Sequence, residues 1–101
     1  MRRIRVLEEA SNEAIAAAAW YEQERPGLGL EFAQALDSAL DLLQEDMVPL
    51  VPVPGTSGPK GAKRLLLRRF PYSIVVLESS DEYVVVAVAH QHRRPGYWKD
   101  R

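Results

Sequence analysis

The sequence contains no cysteine, which excludes disulfides, thiol nucleophiles and cysteine-ligated zinc. It has two histidines, His90 and His92, and aromatic residues make up 8% of the chain. No apolar run approaches the roughly 20 residues that a membrane span needs. Arg2 and Arg3 are not followed by an apolar segment of the signal-peptide kind, so a cytoplasmic location without a membrane partner is expected. Acidic residues are absent from Lys60 to Phe70, where Lys60, Lys63, Arg64, Arg68 and Arg69 lie.

What is present is charge segregation. A net charge of -1 over 101 residues conceals an acidic first half and a basic second half. Glu8, Glu9, Glu13, Glu22, Glu24, Glu31, Asp37, Asp41, Glu45 and Asp46 stand against Arg25 alone. The C-terminal segment adds Arg93, Arg94, Lys99 and Arg101 against Asp100. Such asymmetry suits an anionic partner for the basic half; a merely dipolar solvated surface is the plainer reading. The length and a hydrophobic share of 47% fit one domain over 1–101 with one modest core.

Periodicity predicts the elements. Ile4 and Val6 alternate in a short first strand over Arg3 to Leu7. From about Ala10, the residues Ala10, Ala14, Ala17, Ala18 and Tyr21 recur at helical spacing, and Pro26-Gly27 stops that helix. A second helix from Leu28 carries Phe32, Leu36, Leu40 and Leu43 as an apolar stripe. The short connection folds the two helices back as an antiparallel hairpin. Met47 to Ala62 is rich in proline and glycine and reads as a long loop, either mobile or functional. Strands are predicted over Arg64 to Phe70, Tyr72 to Glu78 and Tyr83 to His90, the last a β-branched run expected to be buried on both faces. The expected fold class is α+β: an N-terminal strand and a helix hairpin packed on a three- to four-stranded antiparallel sheet.

Strict alternation along the strands would set Arg64, Leu66 and Arg68 on one face, with Lys63, Leu65, Leu67 and Arg69 on the other. It would also give Val84, Val86, Val88 and His90 a common face. The segment His90-Gln91-His92-Arg93-Arg94-Pro95-Gly96-Tyr97-Trp98 concentrates unusual chemistry. Histidine titrates near neutrality and suits proton transfer, arginine grips phosphate, and aromatic rings stack on unpaired bases. Two readings stand for His90, a hydrogen-bonded strand-end residue or a site residue, and Trp98 reads more naturally as a packing anchor. His90 and His92 form a His-x-His pair without an evident third ligand, so no metal and no cofactor is expected. Phe70-Pro71-Tyr72 reads as a structural bend between strands.

Trp20-Tyr21, Pro26-Gly27-Leu28-Gly29 with Phe32, Arg64 leading to Arg69-Phe70-Pro71-Tyr72, and His90 with Arg93-Arg94-Pro95 and Tyr97-Trp98 stand in a characteristic order. Over nearly its whole length the chain resembles the RelE/ParE superfamily of type II toxin–antitoxin toxins. The resemblance implies two helices on an antiparallel sheet and a cognate antitoxin from the same operon whose C-terminal segment wraps the toxin. It leaves two activities open. RelE-like members cut messenger RNA in the ribosomal A site. Lys63, Arg64, Arg68, Arg69, Arg93 and Arg94 would then hold phosphate or partner, and His90, His92 and Tyr97 would be the catalytic candidates. ParE-like members instead poison DNA gyrase. A pI of about 6.1 and the Pro26-Gly27-Leu28-Gly29 turn favour the gyrase side, since ribosome binding favours strongly basic chains. A further alternative is an inactive homologue that only binds antitoxin.

Overall fold

The structure, a computed structural model, describes residues 2–53 and 61–101; Lys60 and most of the glycines and prolines of the predicted loop fall outside the described residues. The order of elements is β1 (Arg3–Val6), α1 (Glu8–Glu24), α2 (Leu28–Gln44), β2 (Val51–Pro52), β3 (Lys63–Leu66), β4 (Tyr72–Glu78) and β5 (Glu82–His90). They form the α+β arrangement expected, with the helix hairpin on one face of the sheet.

The sheet is five-stranded, ordered β1-β5-β4-β3-β2, and mixed rather than purely antiparallel. β1 runs parallel to β5, with Arg3 opposite Glu82 and Val6 opposite Val85. A parallel pair needs a long connection between its strands, and here the rest of the fold supplies it. β2 adds a two-residue edge inside the predicted loop, pairing Pro52 with Lys63. An edge is where a strand tolerates proline, because the missing N–H costs no ladder bond. β3 ends at Leu66, before the predicted Phe70. Leu67 still donates to the Tyr72 carbonyl at 3.0 Å, but the chain then turns through Phe70-Pro71, so Arg68 and Arg69 lie outside the strand and its alternation.

The helix hairpin closes through glycine and one carboxylate. Glu8 and Glu9 occupy the first turn of α1, where acids favour the helix dipole. Arg25 ends it in extended conformation, as a residue before proline prefers. Gly27 has φ +89°, a conformation that side chains resist. The Glu22 carboxylate accepts from the N–H groups of Gly27 at 3.0 Å and Gly29 at 3.1 Å, satisfying donors that the start of α2 leaves free. A Cβ at Gly29 would lie 2.6 Å from the Ala18 carbonyl oxygen, so glycine there lets the helices meet closely.

Two cores result, one on each sheet face. Between helices and sheet lie Phe32, Leu43, Ile74, Val76 and Val85. Tyr21, Phe32, Phe70 and Tyr72 pack there ring against ring, with Phe32 and Phe70 centroids 5.1 Å apart and edge-on. Opposite lie Val53, Ala62, Val75, Val86, Ala87, Ala89 and Trp98. β5 is thus covered on both faces. It does not alternate throughout, however. Val75 pairs with Ala87 while Val76 pairs with Val85, which leaves Val86 as the extra residue of a β-bulge. Val86 and Ala87 therefore share the far face, Val88 returns to the helix side, and the expected common face of Val84, Val86, Val88 and His90 is split. Among the described residues, no helix is long and apolar enough to cross a membrane.

Candidate functional site

The chemistry-bearing residues gather where β5 ends and the chain folds back across the far face of the sheet. His90 closes β5, with its ring edge-on to Tyr72 at 5.3 Å and to His92 at 5.2 Å between centroids. Its Nδ1 accepts from the His92 backbone N–H at 3.1 Å, which in the neutral ring leaves the proton on Nε2. Gln91 donates its N–H to the Pro71 carbonyl at 2.8 Å and its amide to the Tyr72 carbonyl at 3.2 Å, tying the strand end to the bend. Gly96 at φ +91° then turns the chain, and Trp98 is 7% exposed in the second core.

The organising residue is Glu13 on α1, which sequence reasoning did not single out. β1 stops at Val6, so the edge of β5 beyond it would carry unpaired backbone groups. Glu13 accepts the Val88 N–H at 3.1 Å, and the Arg101 guanidinium donates to the Val86 carbonyl at 3.0 Å. The same carboxylate receives the Tyr97 hydroxyl at 2.6 Å and the two arms of Arg101 at 2.7 and 3.1 Å. Arg93 lies 3.6 Å away with its guanidinium 3.7 Å above the Tyr97 ring. Burial pushes the Glu13 pKa up, but bonds from Arg101, Tyr97 and Val88 together outweigh it and hold the pKa below the ordinary carboxylate value. Burial first, then the bond to Glu13, raises the Tyr97 phenol far above its usual range. A signal for Glu13 did exist: it stands at helical spacing between Ala10 and Ala17 on the alanine stripe, where a charge needs a partner.

The basic residues are distributed rather than gathered into one clamp. Lys63 pairs with Glu78 at 2.7 Å, an acid shared with Arg2. Arg69 pairs with Glu31 at 2.9 Å and lies over Phe70. Arg68 and Arg94 are exposed. Arg64, His90, Arg93 and Trp98 do meet, around a small cavity of about 20 Å³ on the far face. On the α1 side, His90 and Arg93 also border a cleft of about 260 Å³ with Glu13, Tyr72 and Trp20. Trp20 is 56% exposed there.

Two further surfaces are apolar. Leu42, Met47 and Leu66, all exposed, line an open groove of about 510 Å³ between α2 and β3 that ends at Arg68 and Arg69. A crevice of about 320 Å³ lies between the helices and the sheet where alanines leave space; Asp37 is its one ionisable lining residue.

No protein-family model matches the sequence, and no curated protein matches it. The fold does have a solved counterpart. A chain in the structure of the "Chromosomal ParDE TA system from P. aeruginosa" superposes with a TM-score of 0.71 at 18% identity, covering 89% of this chain and 96% of that one. The two chains share one fold. At that identity the likeness extends to architecture, which is the RelE/ParE-like arrangement expected from the ordered sequence features.

Proposed function

We propose that this chain is the toxin of a type II toxin–antitoxin pair, neutralised by a cognate antitoxin and acting as a ParE-like inhibitor of DNA gyrase. The observation that carries the gyrase reading is the Glu13 cluster. Tyr97 gives its proton to a hydrogen bond with Glu13 and has a raised pKa. Arg93 and Arg101 face the same carboxylate. Tyr97 and Arg93, two of the groups that a nuclease would use at this end of the chain, are thus engaged with Glu13. Arg68 and Arg69 line the α2–β3 groove instead and take no part in this cluster. Likeness of fold to a chain of a ParDE TA system supports the toxin–antitoxin part.

The antitoxin finds a fitting surface in the α2–β3 groove. Leu42, Met47 and Leu66 supply exposed apolar area and Arg68 supplies positive charge at its end. An amphipathic, acidic segment matches that combination.

One arrangement favours the second reading, a ribosome-dependent nuclease: His90, Arg64 and Arg93 border a common cavity. Under it, His90 or His92 is the base and Tyr97 the stacking or proton-donating group. Induction of the toxin in cells lacking antitoxin separates the readings. The gyrase reading expects arrested growth, an SOS response and intact messenger RNA. Cleaved messenger RNA without SOS induction favours the nuclease, and normal growth favours an inactive homologue that only titrates antitoxin.

A further inference from the structure

The far-face cavity holds a polar inconsistency that the Glu13 cluster does not resolve. Ser73, on the central strand β4, is 3% exposed, and its Oγ has no hydrogen-bond partner. The Nε of Arg64, on neighbouring β3, is also buried and without a partner. The register sets Arg64 opposite Val75 and Leu66 opposite Ser73, so Arg64 and Ser73 are diagonal neighbours, and both border the same cavity of about 20 Å³. Buried polar groups in native folds are nearly always satisfied; Arg64 as a residue is only partly buried, and it is its Nε–H, with the Ser73 hydroxyl, that goes unmet.

The surroundings say what kind of group answers them. The cavity wall includes Arg64, Arg93, His90, Gln91 and Ser73, and no carboxylate. Arg93 is partly answered by Glu13, whereas Arg64 has no ion pair among the described residues. A water molecule, which needs roughly 10–15 Å³, fits the space but brings no charge to the Arg64 Nε–H. By the same measure the space takes one oxygen of an anion reaching in from outside, whichever anion carries it. A carboxylate is planar, matches the edge of a guanidinium and places an oxygen among the donors.

We infer that the Arg64–Ser73 cavity is a receptor for a single carboxylate presented by a protein partner, an aspartate or glutamate side chain or a chain terminus. Which partner brings it rests on the toxin–antitoxin reading; the preference for a carboxylate does not. Arg64 then fixes the partner by a charged fork while Ser73 supplies a hydroxyl from a rigid strand. A salt bridge formed there is shielded by Trp98 and Pro95.

The test follows the Arg64 Nε–H and the Ser73 amide of the full chain by nitrogen-15 NMR at neutral pH and constant ionic strength. Acetate and N-acetylglutamate amide are titrated against sodium chloride and inorganic phosphate. Saturable shifts with both carboxylates, larger than with chloride, are expected. Ser73→Ala removes only the hydroxyl and cannot overpack the core; it weakens both carboxylates by roughly tenfold, the effect of one lost bond to a charged group. Arg64→Gln abolishes the response. Shifts no larger than those of chloride mean a bound water only and overturn the inference. So does phosphate saturating below acetate, and so does acetate binding without N-acetylglutamate amide, which would indicate a free small acid. An unchanged titration in Ser73→Ala equally removes it. Toxicity in cells plays no part in this readout, so the site and the gyrase reading fail separately.

Discussion

Arg101 embraces Glu13 across 88 residues of sequence, its two guanidinium nitrogens 2.7 and 3.1 Å from the two carboxylate oxygens. The pair joins the end of the chain to the first helix and completes the β5 edge that β1 leaves open. Both side chains are largely buried, 16% and 18% exposed, so solvent screens the pair less than it would a surface bridge.

Removing the acid should therefore cost more than a surface charge does. Glu13→Ala is expected to lower unfolding free energy by about 3 kcal/mol, since it strands the Val88 N–H, Tyr97 and Arg101 together. Urea denaturation measures it. Hydrogen exchange should show protection lost first over residues 91–101 and at Val88. A loss below about 0.5 kcal/mol would mean that the C-terminal segment is held by Trp98 alone.

The same carboxylate sets a pH dependence. The folded pKa of Glu13 lies below its ordinary value of 4.5, so its stabilisation is present above that value and disappears as pH falls through the lower folded one. Thermal unfolding followed from pH 7 to pH 2.5 should show wild type losing more stability in the acid range than Glu13→Gln. Glu78, whose pKa is lowered by Lys63 and Arg2, contributes to the fall in both proteins and cancels in the comparison. Parallel curves for the two would refute the assignment.

Two glycines in one turn should respond differently. At Gly29 a methyl group meets the Ala18 carbonyl oxygen at 2.6 Å, while at Gly27 nothing lies within 4 Å and only the positive φ resists. Gly29→Ala is expected to cost about 3 kcal/mol by forcing the helices apart, and Gly27→Ala about 1 kcal/mol through backbone strain. Thermal denaturation of the two variants orders them, and the reverse order would contradict the close helix contact.

The two tryptophans give an optical check. Trp20 is exposed and Trp98 is buried. Trp20→Phe should leave a blue-shifted emission poorly quenched by iodide, and Trp98→Phe a red-shifted, readily quenched one. Trp98→Ala should destabilise by about 3–5 kcal/mol through the cavity it leaves.

For the groove, Leu66→Glu should weaken antitoxin binding at least tenfold with the thermal midpoint little changed, since Leu66 is an exposed residue of the groove wall. Calorimetric titration with the antitoxin measures this. Unaltered affinity would move the docking surface elsewhere.

Much of the architecture was legible because local pattern carries it. The leucine stripe of α2 and the β-branched run of β5 announce themselves by period, and Pro26-Gly27 marks the turn between helices. What escaped depends on distant or unmarked events. Nothing near Arg3 states that its strand will lie parallel to one beginning at Glu82. The bulge at Val86 hides in a uniform valine run, where no glycine or proline flags it, yet it decides that His90 faces the helix side. Of the chemistry, the segment from His90 to Trp98 was visible as a composition anomaly. The partner of Tyr97 was not, because Glu13 lies on a different element and only folding brings Arg101 to it. The basic residues looked like one cluster in sequence; early termination of β3 and separate acids at Glu31, Glu78 and Glu13 disperse them.

The most direct test of the proposed activity is supercoiling of relaxed plasmid by purified DNA gyrase in the presence of the chain. Supercoiling is expected to be blocked, or gyrase to be trapped on cleaved DNA, at concentrations that leave messenger RNA intact in cell-free translation, with the antitoxin restoring gyrase. Undisturbed supercoiling at concentrations where ribosome-dependent cuts appear in the message would contradict it and shift the function to His90, His92 and the arginines beside them.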